Sequence, residues 1–180
     1  MNIAVITGSP HRKGTSALLA DKFIDGAKES GHSVFRFDAA FEALHPCLAC
    51  DRCGSTGICI HQDGMEKLIL RLKEVDMVVF VTPLYYFGMS AQLKTVIDRF
   101  YSINYELVGR RKKAVLLATA YDDKEWTFTA LEIHYETVVK YLEWENAGML
   151  LAGGCGNRSE IENSSYPQKA YELGKSITDM

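Results

Sequence analysis

Apolar and polar positions change their period repeatedly along the chain. Ile3, Ala4, Val5 and Ile6 form an unbroken apolar run that stops at Gly8, which predicts a short strand covered on both faces. Ala20, Phe23, Ile24 and Ala27 then recur three and four apart, which predicts a helix, and Gly31 predicts its end. Val34 to Phe37 reads as a second strand, followed by a long connection over 38–62. The same alternation continues. Met65, Leu68, Ile69 and Leu72 predict a helix, and Met77 to Val81 a strand. Leu93, Val96, Ile97 and Phe100 predict a helix, and Ala114 to Ala118 a strand. Phe128, Leu131, Tyr135, Val138 and Leu142 predict a helix, Met149 to Leu151 a strand, and Ala170, Leu173 and Ile177 the last helix.

The order is strand–helix repeated five times. Strands without polar alternation need cover on both faces, so the sheet is expected to be parallel with helices on either side. Right-handed crossovers then predict a three-layer α/β fold with a doubly wound five-stranded parallel sheet in the order 2-1-3-4-5. Ligands of such sheets bind at the carboxyl ends of the strands, where the strand order reverses. This points to the loops after Ile6, Val81 and Ala118.

Composition narrows the picture. With 180 residues, 47% of them apolar and 24% charged, the chain is expected to form one domain over 1–180. A formal charge of -3 argues against a nucleic-acid partner, which needs a basic face. No apolar run approaches the ~20 residues of a membrane span. Met1-Asn2 lacks a positive region and the first apolar run ends at Thr7, so no secretory signal is expected and the cytoplasm is the expected location. Of five cysteines, four fall at 47, 50, 53 and 59, which in a reducing compartment reads as metal-binding or redox chemistry before disulfides.

The segment from Thr7 to Ser16 follows a strand and opens a helix. Helix-terminal N–H groups, the hydroxyls of Ser9, Thr15 and Ser16, and the side chains of His11, Arg12 and Lys13 suit a phosphate monoester, and Gly14 keeps the loop open. No Gly-Lys-[Ser/Thr] or G-x-G-x-x-G pattern is present. A plain turn with Thr15 or Ser16 as N-cap reads the same residues without a ligand. After the third strand come Thr82, Pro83, Leu84, Tyr85, Tyr86, Phe87, Gly88, Met89 and Ser90. Aromatic side chains here suit a planar heteroaromatic ring, Gly88 a close backbone approach, and Ser90 a helix cap. Covering a sheet edge is the alternative for the aromatics. A phosphate grip and a ring platform across one crevice describe a mononucleotide, with flavin mononucleotide the best fit.

Gly8-Ser9-Pro10 with Gly14-Thr15-Ser16, then Thr82-Pro83-Leu84-Tyr85-Tyr86, then Leu93-Lys94 and Asp98-Arg99, resembles the flavodoxin-like NAD(P)H-dependent FMN reductase family. The resemblance implies a flavodoxin-like fold, non-covalent FMN, NAD(P)H as electron donor, and a homodimer with flavin near the interface; whether the dimer pairs again into a tetramer stays open in the sequence. It implies that Ser9, His11, Thr15 and Ser16 hold phosphate and that Pro83 to Phe87 contact the flavin ring and ribityl chain. The family more often has Arg at the position of His11 and Asn-Thr at Thr15-Ser16; Arg12 is the candidate to compensate.

The Cys47-x2-Cys50-x2-Cys53-x5-Cys59 spacing, in a cysteine-rich loop at about 45–63, allows four thiolates to wrap an iron–sulfur or zinc centre. It resembles the iron–sulfur flavoprotein branch of the same family, which implies a [4Fe–4S] cluster exchanging electrons with FMN and a ferredoxin as partner. Free or redox-active thiols are the alternative, and His45 and His61 flank the segment either way. Arg110 to Lys113 reads as a solvated basic loop. Tyr121 and Trp126 are candidates to cover a ring, and Asp122 or Asp123 to cap the following helix. The 153–157 loop is glycine-rich, and its Cys155 reads as a buried thiol. The expected function is FMN-dependent transfer of electrons from NAD(P)H to a quinone, flavin or other small acceptor. An iron–sulfur electron carrier and a non-catalytic mononucleotide sensor are the alternatives. No catalytic side chain is expected where a flavin carries the chemistry.

Overall fold

Strict alternation along the central strands sorts their side chains onto two sides of one sheet. In the computed structural model, which describes residues 1–178, Ala4 and Ile6 of β1 (Asn2–Thr7) enter one buried cluster, while Ile3 and Val5 enter the other. β3 (Met77–Tyr85) and β5 (Lys113–Thr119) divide in the same way: Val78, Phe80, Leu116 and Ala118 face one core, and Val79, Val81, Val115 and Leu117 face the other. Asp179 and Met180, the end of the expected 1–180 domain, lie outside the described residues.

The strands run in the order β2-β1-β3-β5-β6, all parallel, with β2 at Ser33–Asp38 and β6 at Glu145–Ala152. This is the expected doubly wound order, with one addition. A two-residue strand, β4 (Gly88–Met89), folds back antiparallel on the end of β3. The first core is covered by α3 (Met65–Glu74), α4 (Ala91–Asp98) and α6 (Thr129–Leu142), through Leu68, Leu72, Leu93, Val96, Leu131 and Tyr135. The second is covered by α1 (Thr15–Glu29), α7 (Arg158–Glu162) and α8 (Tyr166–Lys175). Short helical turns fill the connections: α2 (Arg52–Thr56), α5 (Asn104–Leu107), and 3-10 turns at Ala39–Phe41 and Arg99–Ile103.

α1 and α8 touch backbone to backbone. A Cβ on Gly26 would sit 2.0 Å from the Tyr171 carbonyl oxygen, and one on Gly174 would sit 2.1 Å from that of Phe23. Only hydrogen fits at either position, so the second layer is fixed by this glycine pair. Gly31 ends α1 as expected, at φ +85°.

Several boundaries differ from the sequence reading. β6 starts at Glu145, ahead of its apolar stretch, because it is an edge strand with half-exposed residues and a register shift opposite Ala114/Val115. α1 is capped at Gly14 with no side-chain hydrogen bond, so neither Thr15 nor Ser16 is its N-cap. Asp122 and Asp123 do not cap α6, which begins after Phe128. The last helix ends at Lys175, before Ile177. No helix among the described residues is long and apolar enough to cross a membrane.

Candidate functional site

The carboxyl ends of β1, β3, β5 and β6 open on one cleft of about 730 Å³. Its walls come from four loops. Ser9, His11, Arg12, Gly14 and Thr15 follow β1, and Pro83, Leu84 and Tyr85 end β3. Thr119 ends β5 and Tyr121 follows it, and Cys155, Asn157 and Arg158 follow β6. The size is that of a small-molecule or cofactor site.

The loops are tied to one another from beneath. The Gly8 N–H donates to the Val81 carbonyl at 2.8 Å, and Ser90 Oγ donates to the Gly8 carbonyl at 2.8 Å. The Ser90 N–H in turn donates to Thr82 Oγ1 at 2.9 Å. A Cβ on Gly8 would lie 2.3 Å from Ser90 Oγ, so this junction closes only around glycine. Ser90 also accepts from the Leu93 N–H at 3.3 Å, the N-cap expected of α4. Across the cleft floor Thr15 Oγ1 and Thr119 Oγ1 share a hydrogen bond of 2.9 Å, joining the loops after β1 and β5.

The phosphate-like end is built from the first turn of α1. The first N–H groups of a helix have no intrahelical partner, and Gly14 offers no side chain to cap them. Ser9 Oγ accepts from the His11 N–H at 3.1 Å and so shapes the loop. Ser16 Oγ is buried without a hydrogen-bond partner among the described residues, an arrangement that normally requires an incoming group. Its side chain is behind the cleft wall and not on it. Arg12 lies over the Phe41 ring at 3.6 Å, which holds its guanidinium at the cleft rim.

The aromatic segment divides. Tyr85 pairs with Gly88, and the two residues between them turn with positive φ, +47° at Tyr86 and +62° at Phe87. Two successive positive φ values define the tight hairpin turn that ordinarily takes Asn-Gly. Tyr86 and Phe87 occupy it at a conformational cost of about 1–2 kcal/mol each. Tyr86 is fully exposed, and Phe87 packs on Trp126 with ring centroids 5.0 Å apart. Tyr86, Phe87 and Gly88 stand at the rim and do not line the cleft. A Cβ on Gly88 would meet no protein atom nearer than 4.0 Å.

Cys155 is buried, as expected, and it also lines the cleft; burial raises its pKa, with Glu160 adding to the rise. Thr119, Asn157 and Arg158 escaped the sequence reading. The one available signal was Asn157 three residues before Glu160, the pattern of a capping box. The box forms, with the Glu160 N–H donating to Asn157 Oδ1 at 3.1 Å and the Asn157 N–H donating to Glu160 Oε2 at 3.1 Å.

The cysteine loop is a separate structure. Cys47 and Cys50 are exposed, and Cys53 and Cys59 are half-buried. Burial, and after it the charges of Cys59 and Cys47, raise the Cys53 pKa. Among the described residues no group of three or more His, Cys, Asp or Glu side chains is arranged to hold a metal. Four thiols match an iron–sulfur cluster in donor chemistry, but as folded they do not form a coordination sphere. The feet of the loop are clamped instead. Arg99, 2% exposed, donates from Nη1 to Asp63 at 2.9 Å and to the His45 carbonyl at 2.9 Å, and from Nη2 to the His61 carbonyl at 3.3 Å. The His45 and His61 rings stack at 4.8 Å. Burial raises the Asp63 pKa, but hydrogen bonds from Arg99, from the Met65 and His45 N–H groups and from the His45 ring outweigh it and hold the carboxyl at about 2.

The fold and the phosphate-like end of the cleft place the chain among flavodoxin-like nucleotide-binding proteins. The profile of the NADPH-dependent FMN reductase family matches residues 1–131, and the chain belongs to that family. An iron–sulfur flavoprotein of Methanocaldococcus jannaschii is 32% identical over 99 residues, 55% of this chain and 51% of that protein. The match thus spans about half the length of that relative. A Bacillus subtilis protein, YwqN, named as an NAD(P)H-dependent FMN-containing oxidoreductase, is 28% identical over 88% of this chain and 87% of its own length. Among solved structures, an NAD(P)H:quinone oxidoreductase from Methanothermobacter marburgensis superposes with a TM-score of 0.79 at 21% identity, over 100% of this chain and 97% of the other.

Proposed function

We propose that the chain is a single-domain, FMN-dependent oxidoreductase that takes reducing equivalents from NAD(P)H and passes them to a quinone, flavin or other small acceptor. The observation that carries this reading is the first turn of α1. Its uncapped N–H groups stand at an open cleft that Pro83, Leu84 and Tyr85 also line, and the partnerless Ser16 hydroxyl is buried just behind that wall. Bound FMN supplies the hydride and electron chemistry, which no side chain here needs to perform.

The chain's own residues bind and orient. Ser9, His11, Arg12, Thr15 and Ser16 with the N–H groups beside Gly14 are assigned to the phosphate. Pro83, Leu84 and Tyr85 are assigned to the ring and ribityl chain, with Tyr86, Phe87 and Gly88 forming the rim above them. Exposed Tyr86, Phe87, Tyr121 and Trp126 surround the cleft mouth and suit a second copy of the chain, so a homodimer, alone or paired again into a tetramer, is part of the proposal. The cytoplasm is the proposed location.

The test is a titration of FMN into the purified protein, followed by anaerobic addition of NADPH and then a benzoquinone. One FMN per chain, bleaching by NADPH and recovery on adding quinone support the reading. Absence of FMN binding overturns it in favour of a non-catalytic mononucleotide sensor or another ligand.

A second reading has its own observation, four free cysteines within one loop of a chain with an iron–sulfur flavoprotein among its relatives. In it, Cys47, Cys50, Cys53 and Cys59 gather on a cluster and a ferredoxin is the partner. Iron and acid-labile sulfide near four per chain, as a cubane needs, in protein purified without oxygen would establish it. Their absence under those conditions would leave the cysteines as thiols.

A further inference from the structure

Arg158 is the one cation on the cleft wall that the loop after β1 does not supply. It stands at the first position of α7, whose start is fixed by the Asn157–Glu160 capping box. Its guanidinium is spread across two kinds of acceptor. Nε donates to Glu162 Oε1 at 2.6 Å, one turn further on. Nη1 lies 3.5 Å from the carbonyl oxygens of Lys13 and Gly14, the two residues just before α1. Nη2 has no partner among the described residues.

This arrangement is unfinished in a specific way. Contacts of 3.5 Å are at the outer limit of hydrogen bonding, so Nη1 gains by turning to a nearer, charged acceptor. The carbonyls beside it belong to the loop whose N–H groups end uncapped in the cleft. An anion seated on those N–H groups would sit next to a guanidinium already held by Glu162. Glu162 fixes the fork from behind without filling it. Planar, fixed N–H pairs of this kind match the oxygen spacing of a phosphate monoester.

Building on the function proposed above, we infer that Arg158 closes the phosphate end of the cleft from the β6 side and binds the phosphate monoester of the cofactor. It would be the residue by which the chain distinguishes FMN from riboflavin. His11, Arg12 and Lys13 approach the same end from the opposite loop, and Arg12 is partly engaged by Phe41. Arg158 is the cation that reaches this end from the β6 side, with its Nη1 beside the Lys13 and Gly14 carbonyls.

The test compares FMN with riboflavin, which lacks the phosphate, by fluorescence titration of the wild type, Arg158→Ala and Arg158→Lys. Arg158 is at the surface, with 37% of its side chain exposed, so these variants should fold. The expected result for Arg158→Ala is FMN binding weaker by about ten- to a hundredfold, as loss of a charge-assisted hydrogen bond implies, with riboflavin binding unchanged. Arg158→Lys should recover part of the loss, since it keeps the charge but not the fork. Equal weakening of FMN and riboflavin would overturn the inference, because the arginine would then only shape the loop. Unchanged FMN affinity with a lost preference for NADPH over NADH would overturn it too, assigning the residue to the electron donor. A wild type that binds neither flavin would instead defeat the FMN reading itself.

Discussion

The cleft and the cysteine loop are both built from connections at the carboxyl end of one sheet, yet they are held in opposite ways. The cleft is assembled from four strand ends, each only a few residues from the core, and its loops cross-bond through Gly8, Ser90, Thr15 and Thr119. The start of α1 is left without a side-chain cap while the loops around it are cross-bonded. The cysteine loop is the reverse. It hangs from one buried ion pair, Arg99–Asp63, and its chemically interesting side chains stand in solvent. The cleft is preorganised for a ligand, and the loop is not.

That contrast predicts where substitutions hurt. The largest effect is expected from Arg99→Met, which leaves Asp63 as an unpaired buried charge. A loss of about 3–5 kcal/mol is expected in urea denaturation. Replacing exposed Cys47 or Cys50 by serine should change stability by no more than about 0.5 kcal/mol. If Arg99→Met proves as mild as the cysteine variants, the loop is not anchored as described.

Next in size is Gly14→Val. The first carbon added there would lie 3.0 Å from His11 Cβ and 3.2 Å from the His11 carbonyl oxygen. Overpacking of about 1–3 kcal/mol is expected to appear mainly as about ten- to a hundredfold weaker FMN binding, read by titration. An unchanged affinity would remove the loop after β1 from the site.

Acid should act on the loop before the cleft. Against burial, hydrogen bonds from Arg99, Met65 and His45 hold the Asp63 carboxyl at about 2, below the usual carboxylate range. Its folded pKa is depressed, so its contribution is complete above about pH 4 and is lost as pH falls toward 2. The contribution is of the order of 2 kcal/mol. Asp63→Asn should abolish that part of the acid dependence in a denaturation series. A wild type and variant with parallel pH profiles would contradict it.

The smallest effect has the opposite sign. Replacing Tyr86-Phe87 by Asn-Gly relieves two positive-φ positions and should stabilise the fold by about 1–2 kcal/mol. Turnover with NADPH and a quinone should fall, because the rim aromatics are lost. A variant equally active and more stable would show that the strained turn serves no purpose at the mouth.

The two regions also differ in how far the sequence revealed them. The five-strand order was legible because buried parallel strands are apolar throughout, as at Met77 to Val81, and their spacing leaves one topology. The cleft's first and third walls were legible for the same reason, since the loops after Ile6 and Val81 follow directly from strand ends. Thr119 and Arg158 were not. Thr119 is simply the last residue of a buried strand, and Arg158 starts a five-residue helix with no apolar period to announce it. The hairpin turn at Tyr86-Phe87 was hidden because its residues are the wrong ones for its geometry. The cysteine spacing was plain, but spacing reports which donors are available and not whether they converge. The clamp was invisible because Asp63 and Arg99 are thirty-six positions apart.

The most direct measurement is a titration of FMN into the wild type and into a variant carrying Cys47→Ser, Cys50→Ser, Cys53→Ser and Cys59→Ser together. One FMN per chain with the same affinity in both proteins is the expected result, because the cleft is complete without the loop. No binding by the wild type, or binding lost in the serine variant, would contradict it.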